Sequence, residues 1–174
     1  MRRRAVLSTL GALGALLALA LAACSTGEPT APTATPDVAT SSAPVPSGFA
    51  NPELLVDTAW LARHLEDENV RVLDVSSAAI YGDGHIQGAV NVPSSQFITT
   101  VGGLTNMVSP SGMFAQAMKQ AGVGDDTHVI IVDAGNMLWA SRLLWTLEYY
   151  GHQDVSVLYG GMAAWRADER EVTR

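Results

Sequence analysis

The chain has 174 residues, 48% hydrophobic and 16% charged, enough for one ordinary domain with appendages. Ten basic against seventeen acidic residues give a net charge of −7. That balance argues against nucleic acid as a partner and against electrostatic docking on anionic lipid.

Arg2, Arg3 and Arg4 precede an apolar run, Ala5 to Ala23, which ends in Leu21-Ala22-Ala23-Cys24. A basic start, an apolar stretch and small residues before a cut site have the shape of a secretory signal. The segment resembles a bacterial lipobox, in which the Cys becomes the lipidated first residue of the mature protein. Residues 1–23 are therefore expected to be a lipoprotein signal peptide. Cys24 is the expected membrane attachment, on the outer face of the cytoplasmic membrane or another envelope membrane. Arg3-Arg4-Ala5-Val6-Leu7 also loosely resembles a twin-arginine signal.

A tether follows over residues 24–48. Five of the eight prolines fall in residues 25–49, among Ser, Thr, Ala and Gly. Such a segment buries too little to offset its ordering entropy and serves as reach. Without the three leading arginines, seven basic and seventeen acidic residues remain, a net charge of −10. Cys24 is the one cysteine, so the domain has no internal disulfide. Once lipidated, it leaves no thiol nucleophile.

The folded domain is expected over residues 49–174. Leu54 to Val56 reads as a short strand, Asp57 as an N-cap, and Thr58 to Glu66 as a helix with Trp60, Leu61 and Leu65 inward. Val70 to Val75 is a second strand and Ala89 to Val92 a third. Residues 94–108 read as loop. Ser109-Pro110 looks like an N-cap with proline in the first turn, before a helix that ends at Gly122. Val129-Ile130-Ile131-Val132 has no polar residue inside, as in a strand buried on both faces. The next helix has Leu138, Ala140, Leu143, Leu144 and Leu147 on one face, with Ser141, Arg142, Thr146 and Glu148 on the other. Val155 to Leu158 is a last strand, and a closing helix starts at Gly160-Gly161. Strands alternating with helices imply an α/β domain, doubly wound around a mainly parallel sheet.

The candidate site is the loop Asp133-Ala134-Gly135-Asn136-Met137-Leu138. It leaves the carboxyl end of a parallel strand and enters a helix, where open α/β sheets place their sites and where free amides suit an anion. Asp133 occupies that position. Magnesium-dependent aspartyl-phosphate chemistry is disfavoured, because no acidic cluster accompanies Asp133. His64, His128 and His152 have no metal-site spacing, and no cofactor is implied.

Asp74 with Tyr81, Gly84-His85-Ile86, Gly88-Ala89 and Pro93 resembles the first signature of rhodanese-like sulfurtransferases. Gly160-Gly161 with Ala164-Trp165 resembles their closing signature. Leu138 to Trp145, including Arg142, with Tyr150-Gly151-His152 looks like the first domain of the tandem thiosulfate and 3-mercaptopyruvate sulfurtransferases. The resemblance covers residues 54–172 and implies a doubly wound sheet of about five strands.

In that family the resemblance implies a Cys at position 133, whose thiolate takes up sulfur as a persulfide. A carboxylate is a poor acceptor of sulfane sulfur. First domains of the tandem enzymes usually carry Asp there and are inactive, their second domain supplying the Cys. Ser76 also stands where the active-type signature has Arg. His85 is expected to fix its turn by hydrogen bonds, Asp74 to anchor a neighbouring loop or Arg, and Arg142 to pair with a carboxylate. Trp139, Trp145 and Trp165 read as core or interface aromatics, Trp139 being the one to pack on a second domain. The expected function is a lipid-anchored, catalytically silent binding or scaffold module. The alternative is one half of a sulfurtransferase whose second rhodanese domain is missing or separately encoded, and a third reading is a remnant of a broken gene.

Overall fold

A computed structural model describes residues 45–174. The expected signal peptide, Cys24 and nearly all of the tether lie outside the described residues.

Five strands form a parallel sheet in the order β1-β7-β6-β2-β3. They are β1 (Leu55–Val56), β2 (Val70–Asp74), β3 (Val90–Asn91), β6 (His128–Val132) and β7 (Val155–Leu158). The hairpin β4 (Ile98–Val101) and β5 (Leu104–Val108) stands apart as an antiparallel pair. The helices are α1 (Thr58–His64), α2 (Ala78–Asp83), α3 (Ser111–Gln120), α4 (Leu138–Tyr149) and α5 (Gly161–Ala167).

The central strand β6 explains the layering. Val129 and Ile131 point to one face, where they meet Phe114 and Met118 of α3 and Ala140, Leu143 and Leu147 of α4. Ile130 and Val132 point to the other, against Leu61 of α1 and Met162 and Trp165 of α5. Period-two alternation along a strand with no polar residue inside thus builds two cores, one above and one below the sheet. Asp57 starts α1 as expected, its Oδ1 accepting from the Trp60 amide at 2.6 Å. Both edge strands, β1 and β3, are only two residues long.

Three expectations need correction, and one further helix is present. Residues 94–108 are not plain loop: a 3-10 turn over Ser94–Gln96 leads into the hairpin. Its turn is Gly102-Gly103, with φ +59° and +83°, the primed geometry that matches strand twist. The cap of α3 is Pro110 rather than Ser109, with no side-chain hydrogen bond. Residues 78–83, left unassigned from the sequence, form α2, capped by Ser77 Oγ on the Ile80 amide. On α4, Thr146 is fully buried while Leu138 is 61% exposed, so the inward face is rotated from the expected one. Thr146 tolerates burial because its hydroxyl donates to the Arg142 carbonyl at 2.8 Å.

Candidate functional site

The site is built where β6 stops. Asp133 follows Val132, the last strand residue, and only 3% of it is exposed. Its Oδ1 accepts from the Gly135 amide at 2.8 Å, turning the chain back on itself. Oδ2 is buried without a hydrogen-bond partner among the described residues. The Asp133 carbonyl accepts from the Met162 amide at 2.8 Å, which fastens the loop to the start of α5.

Helix α4 begins without a conventional cap. Met137, its N-cap, is left-handed (φ +60°), and Asn136 Oδ1 accepts from the Leu138 amide at 3.2 Å. Gly135 and Gly161 interlock the two signatures. A Cβ on Gly161 would sit 2.5 Å from the Asp133 carbonyl oxygen and 2.9 Å from the Gly135 nitrogen. A Cβ on Gly135 would sit 2.9 Å from Ala163 Cβ and 3.0 Å from the Gly160 carbonyl oxygen. Only bare backbone fits on both sides of that contact. Ala134 is exposed at the loop's outer turn.

Electrostatically the loop holds a carboxylate and no countercharge. The ion pairs among the described residues are His128 with Asp154 and Arg170 with Asp168, and neither involves Asp133. No group of three potential metal ligands occurs among the described residues.

The neighbouring strand β2 ends in Asp74, 1% exposed, whose Oδ1 accepts from the Ser76 amide at 2.8 Å. Asp74 thus anchors its own loop, and among the described residues no Arg pairs with it. Ser76 is buried and its Oγ has no hydrogen-bond partner among the described residues. Asn91 was missed from the sequence: its Nδ2 donates to the carbonyls of Asp74 (3.0 Å) and Ser76 (2.9 Å), joining β3 to the same edge. A lone Asn inside the apolar Val90-Asn91-Val92 stretch was the available signal.

The other signature residues lie elsewhere. Gly84, His85 and Gly88 precede β3, at the amino edge of the sheet, opposite the Asp133 loop. His85 stacks on Tyr81 at 3.7 Å, and its Nδ1 lies 3.0 Å from the Tyr81 carbonyl oxygen. Its backbone pairs with Thr173, and Arg166 donates to the Gly84 carbonyl at 2.9 Å. Tyr81 donates to the Ala89 carbonyl at 2.6 Å. Burial first, and then the charge of Asp74, raises its pKa above 10.0. Trp165 is buried on α5, with its indole N–H on the Glu171 carbonyl at 2.8 Å.

Among the described residues Arg142 has no carboxylate partner, against expectation. Its Nη2 donates to the Asn106 carbonyl in the hairpin at 2.7 Å, and its guanidinium lies 5.0 Å from the Trp145 ring centre. Trp139 packs edge-on against buried Phe97, at 6.4 Å. Trp139 is partly exposed, and the exposed aromatics of α4 are Trp145 (45%) and Tyr149 (62%).

The rhodanese-like domain family matches residues 57–168. The sulfur carrier protein TtuD of Thermus thermophilus is 37% identical over 128 residues, covering 72% of this chain and 44% of that protein. The 3-mercaptopyruvate sulfurtransferase of Escherichia coli is 34% identical over 124 residues, covering 66% of this chain and 44% of that enzyme. The crystal structure of Escherichia coli SseA, a 3-mercaptopyruvate sulfotransferase of rhodanese fold, superposes with a TM-score of 0.63 at 32% identity. It covers 70% of this chain and 51% of that one. This chain therefore spans about half the length of the relatives it matches, and it belongs to the rhodanese-like family, with homology to the 3-mercaptopyruvate and thiosulfate sulfurtransferases.

Proposed function

We propose that this protein is a catalytically silent rhodanese-like domain, held at a membrane through lipidated Cys24, that acts by binding rather than by sulfur transfer. The observation that carries the reading is Asp133 at the end of β6, buried and bonded to its own loop. Sulfur transfer needs a nucleophile that takes sulfane sulfur and releases it again, which a thiolate does and a carboxylate does poorly. The chain's one thiol, Cys24, lies outside the domain matched to the family. The test is thiocyanate formation from thiosulfate and cyanide by the purified full chain, with Cys24→Ala alongside. Turnover that persists in Cys24→Ala overturns the proposal. Intact mass of the chain taken from its native membrane tests the anchor, with a diacylglycerol-type addition on Cys24 expected.

A second reading has its own support. The relatives are about twice as long as the matched segment, and α4 presents Leu138, Trp145 and Tyr149 to solvent. On this reading the domain is one half of a sulfurtransferase and binds a Cys-bearing rhodanese domain supplied separately. Sedimentation of the two together is expected to give a complex at micromolar concentration, and independent boundaries count against it.

A further inference from the structure

The hairpin β4–β5 projects from the domain. Residues 100–107 are all exposed, on both faces of the ribbon, although Val101, Leu104 and Met107 are apolar. A ribbon lying on the domain buries one of its faces. At its root Phe97 is buried, and the Phe97 carbonyl accepts from the Ser109 amide at 3.2 Å, so the projection leaves a fixed base.

The sequence there is as distinctive as the exposure. Residues 86–118 contain no Asp, Glu, Lys, Arg or His, although 16% of the whole chain is charged. Strand edges that face water are commonly guarded by charged side chains, and this ribbon has none. Beside it, α4 supplies an aromatic rim. Arg142 donates to the Asn106 carbonyl at 2.7 Å and lies over Trp145, which stacks on Tyr149 at 5.3 Å. Helical spacing puts Glu148 on the flank of Trp145 away from Arg142. Leu104 lies two residues, about 7 Å of strand, beyond Asn106 towards the tip.

We propose that this face rests on the surface of the lipid bilayer to which the chain is tethered. Val101, Leu104 and Met107 enter the boundary between headgroups and acyl chains, and Trp145, Tyr149 and Arg142 lie at headgroup level, where amphipathic rings and long basic side chains are at home. The proposal rests on the reading of Cys24 as the membrane attachment. Twenty residues separate Cys24 from Val45. Extended, they reach about 70 Å, against about 35 Å for the diameter of such a domain, so any face of the domain can meet the membrane. A ribbon edge cannot leave its amides and carbonyls unpaired in hydrocarbon, which holds the tip at the boundary, where water and headgroups satisfy them. A protein partner must bring a groove to fit a convex tip, whereas a fluid boundary fits any apolar projection. The acidity of the chain selects a zwitterionic lipid surface over an anionic one.

The test joins the full chain through Cys24, its one thiol, to a maleimide phospholipid in phosphatidylcholine vesicles. The attachment is then chemical, so the face is read whatever Cys24 carries in the cell, and the intact mass of the native protein tests that separately. Phosphatidylcholine brominated near the top of its acyl chains quenches an indole lying at the boundary. Tryptophan emission is expected to fall in these vesicles, and the quenched part to disappear in Trp145→Phe. Val101→Asp with Leu104→Asp, both at exposed positions, is expected to abolish the quenching while leaving the urea midpoint unchanged. The proposal is overturned by equal emission in brominated and plain vesicles, by quenching that survives in Trp145→Phe, or by quenching that survives the double Asp change. Unquenched emission together with crosslinks between hairpins overturns it in favour of a second copy of the chain as the occupant.

Discussion

The contact between Gly161 and the Asp133 loop makes a quantitative prediction. In Gly161→Ala the new Cβ lies 2.5 Å from the Asp133 carbonyl oxygen, 2.8 Å from its Oδ1 and 2.9 Å from the Gly135 nitrogen. Two of these atoms are backbone, so neither can swing aside. The residue is also left-handed, at φ +55°, which costs an alanine about 1 kcal/mol. Overpacking adds about 1–3 kcal/mol, for a total of about 2–4 kcal/mol. Gly88→Ala is the control. Gly88 has φ +78° but nothing within 4 Å of an added Cβ, so only the conformational cost of about 1 kcal/mol applies. Urea unfolding of both full-length variants measures the difference, with an unchanged slope as the check on two-state behaviour. Gly161→Ala is expected to melt roughly 10 °C below the parent and clearly below Gly88→Ala. Equal stability of the two variants refutes the packing of the closing signature against the Asp133 loop.

Three further changes probe the surrounding framework. Asp57→Ala removes the 2.6 Å bond to the Trp60 amide and is expected to cost about 1 kcal/mol in urea unfolding. Tyr81 holds its proton more tightly when folded than unfolded, so its contribution to stability is full below pH 10.0 and is lost as pH rises through the folded value. Tyr81→Phe is expected to cost about 1 kcal/mol at neutral pH through the Ala89 carbonyl bond, and to flatten the alkaline fall in a stability titration. Arg142→Ala releases the hairpin at Asn106, so amide exchange across residues 98–108 is expected to quicken while global stability changes by less than about 1 kcal/mol.

The two-sided burial of Val129 to Val132 is written plainly in the sequence, because a strand with no polar residue has only one comfortable place in a parallel sheet. Asp57 and the glycines at 160 and 161 were legible for similar reasons, each residue type having few alternative uses. The phase of α4 was not. Thr146 is polar by type, yet its hydroxyl satisfies itself on the preceding turn, so it can face the core. Leu138 and Trp145 lie outward on a helix whose inward face was already filled. The hairpin escaped because its strands are largely exposed and lack clean alternation, although Gly102-Gly103 between them was a usable turn signal. Helix α2 buries no residue and so left no apolar stripe to read. At the site, the place of Asp133 at the end of a buried strand was legible. The grip of Asn91 on the Asp74 edge and of Met162 on the Asp133 carbonyl depends on distant segments meeting in space.

The two-residue length of β1 and β3 bears on how the molecule tolerates its own neighbours. A long exposed strand offers a row of unpaired amides and carbonyls to any other chain, and aggregation starts there. With edges only two residues long, the main sheet offers almost no template for such pairing. The hairpin is the exception, because among the described residues β4 and β5 join no other strand, and they expose Val101, Leu104 and Met107. If the protein self-associates under crowding, those ten or so residues are where strand exchange begins, and a lysine placed at Leu104 should suppress it at little cost to the core.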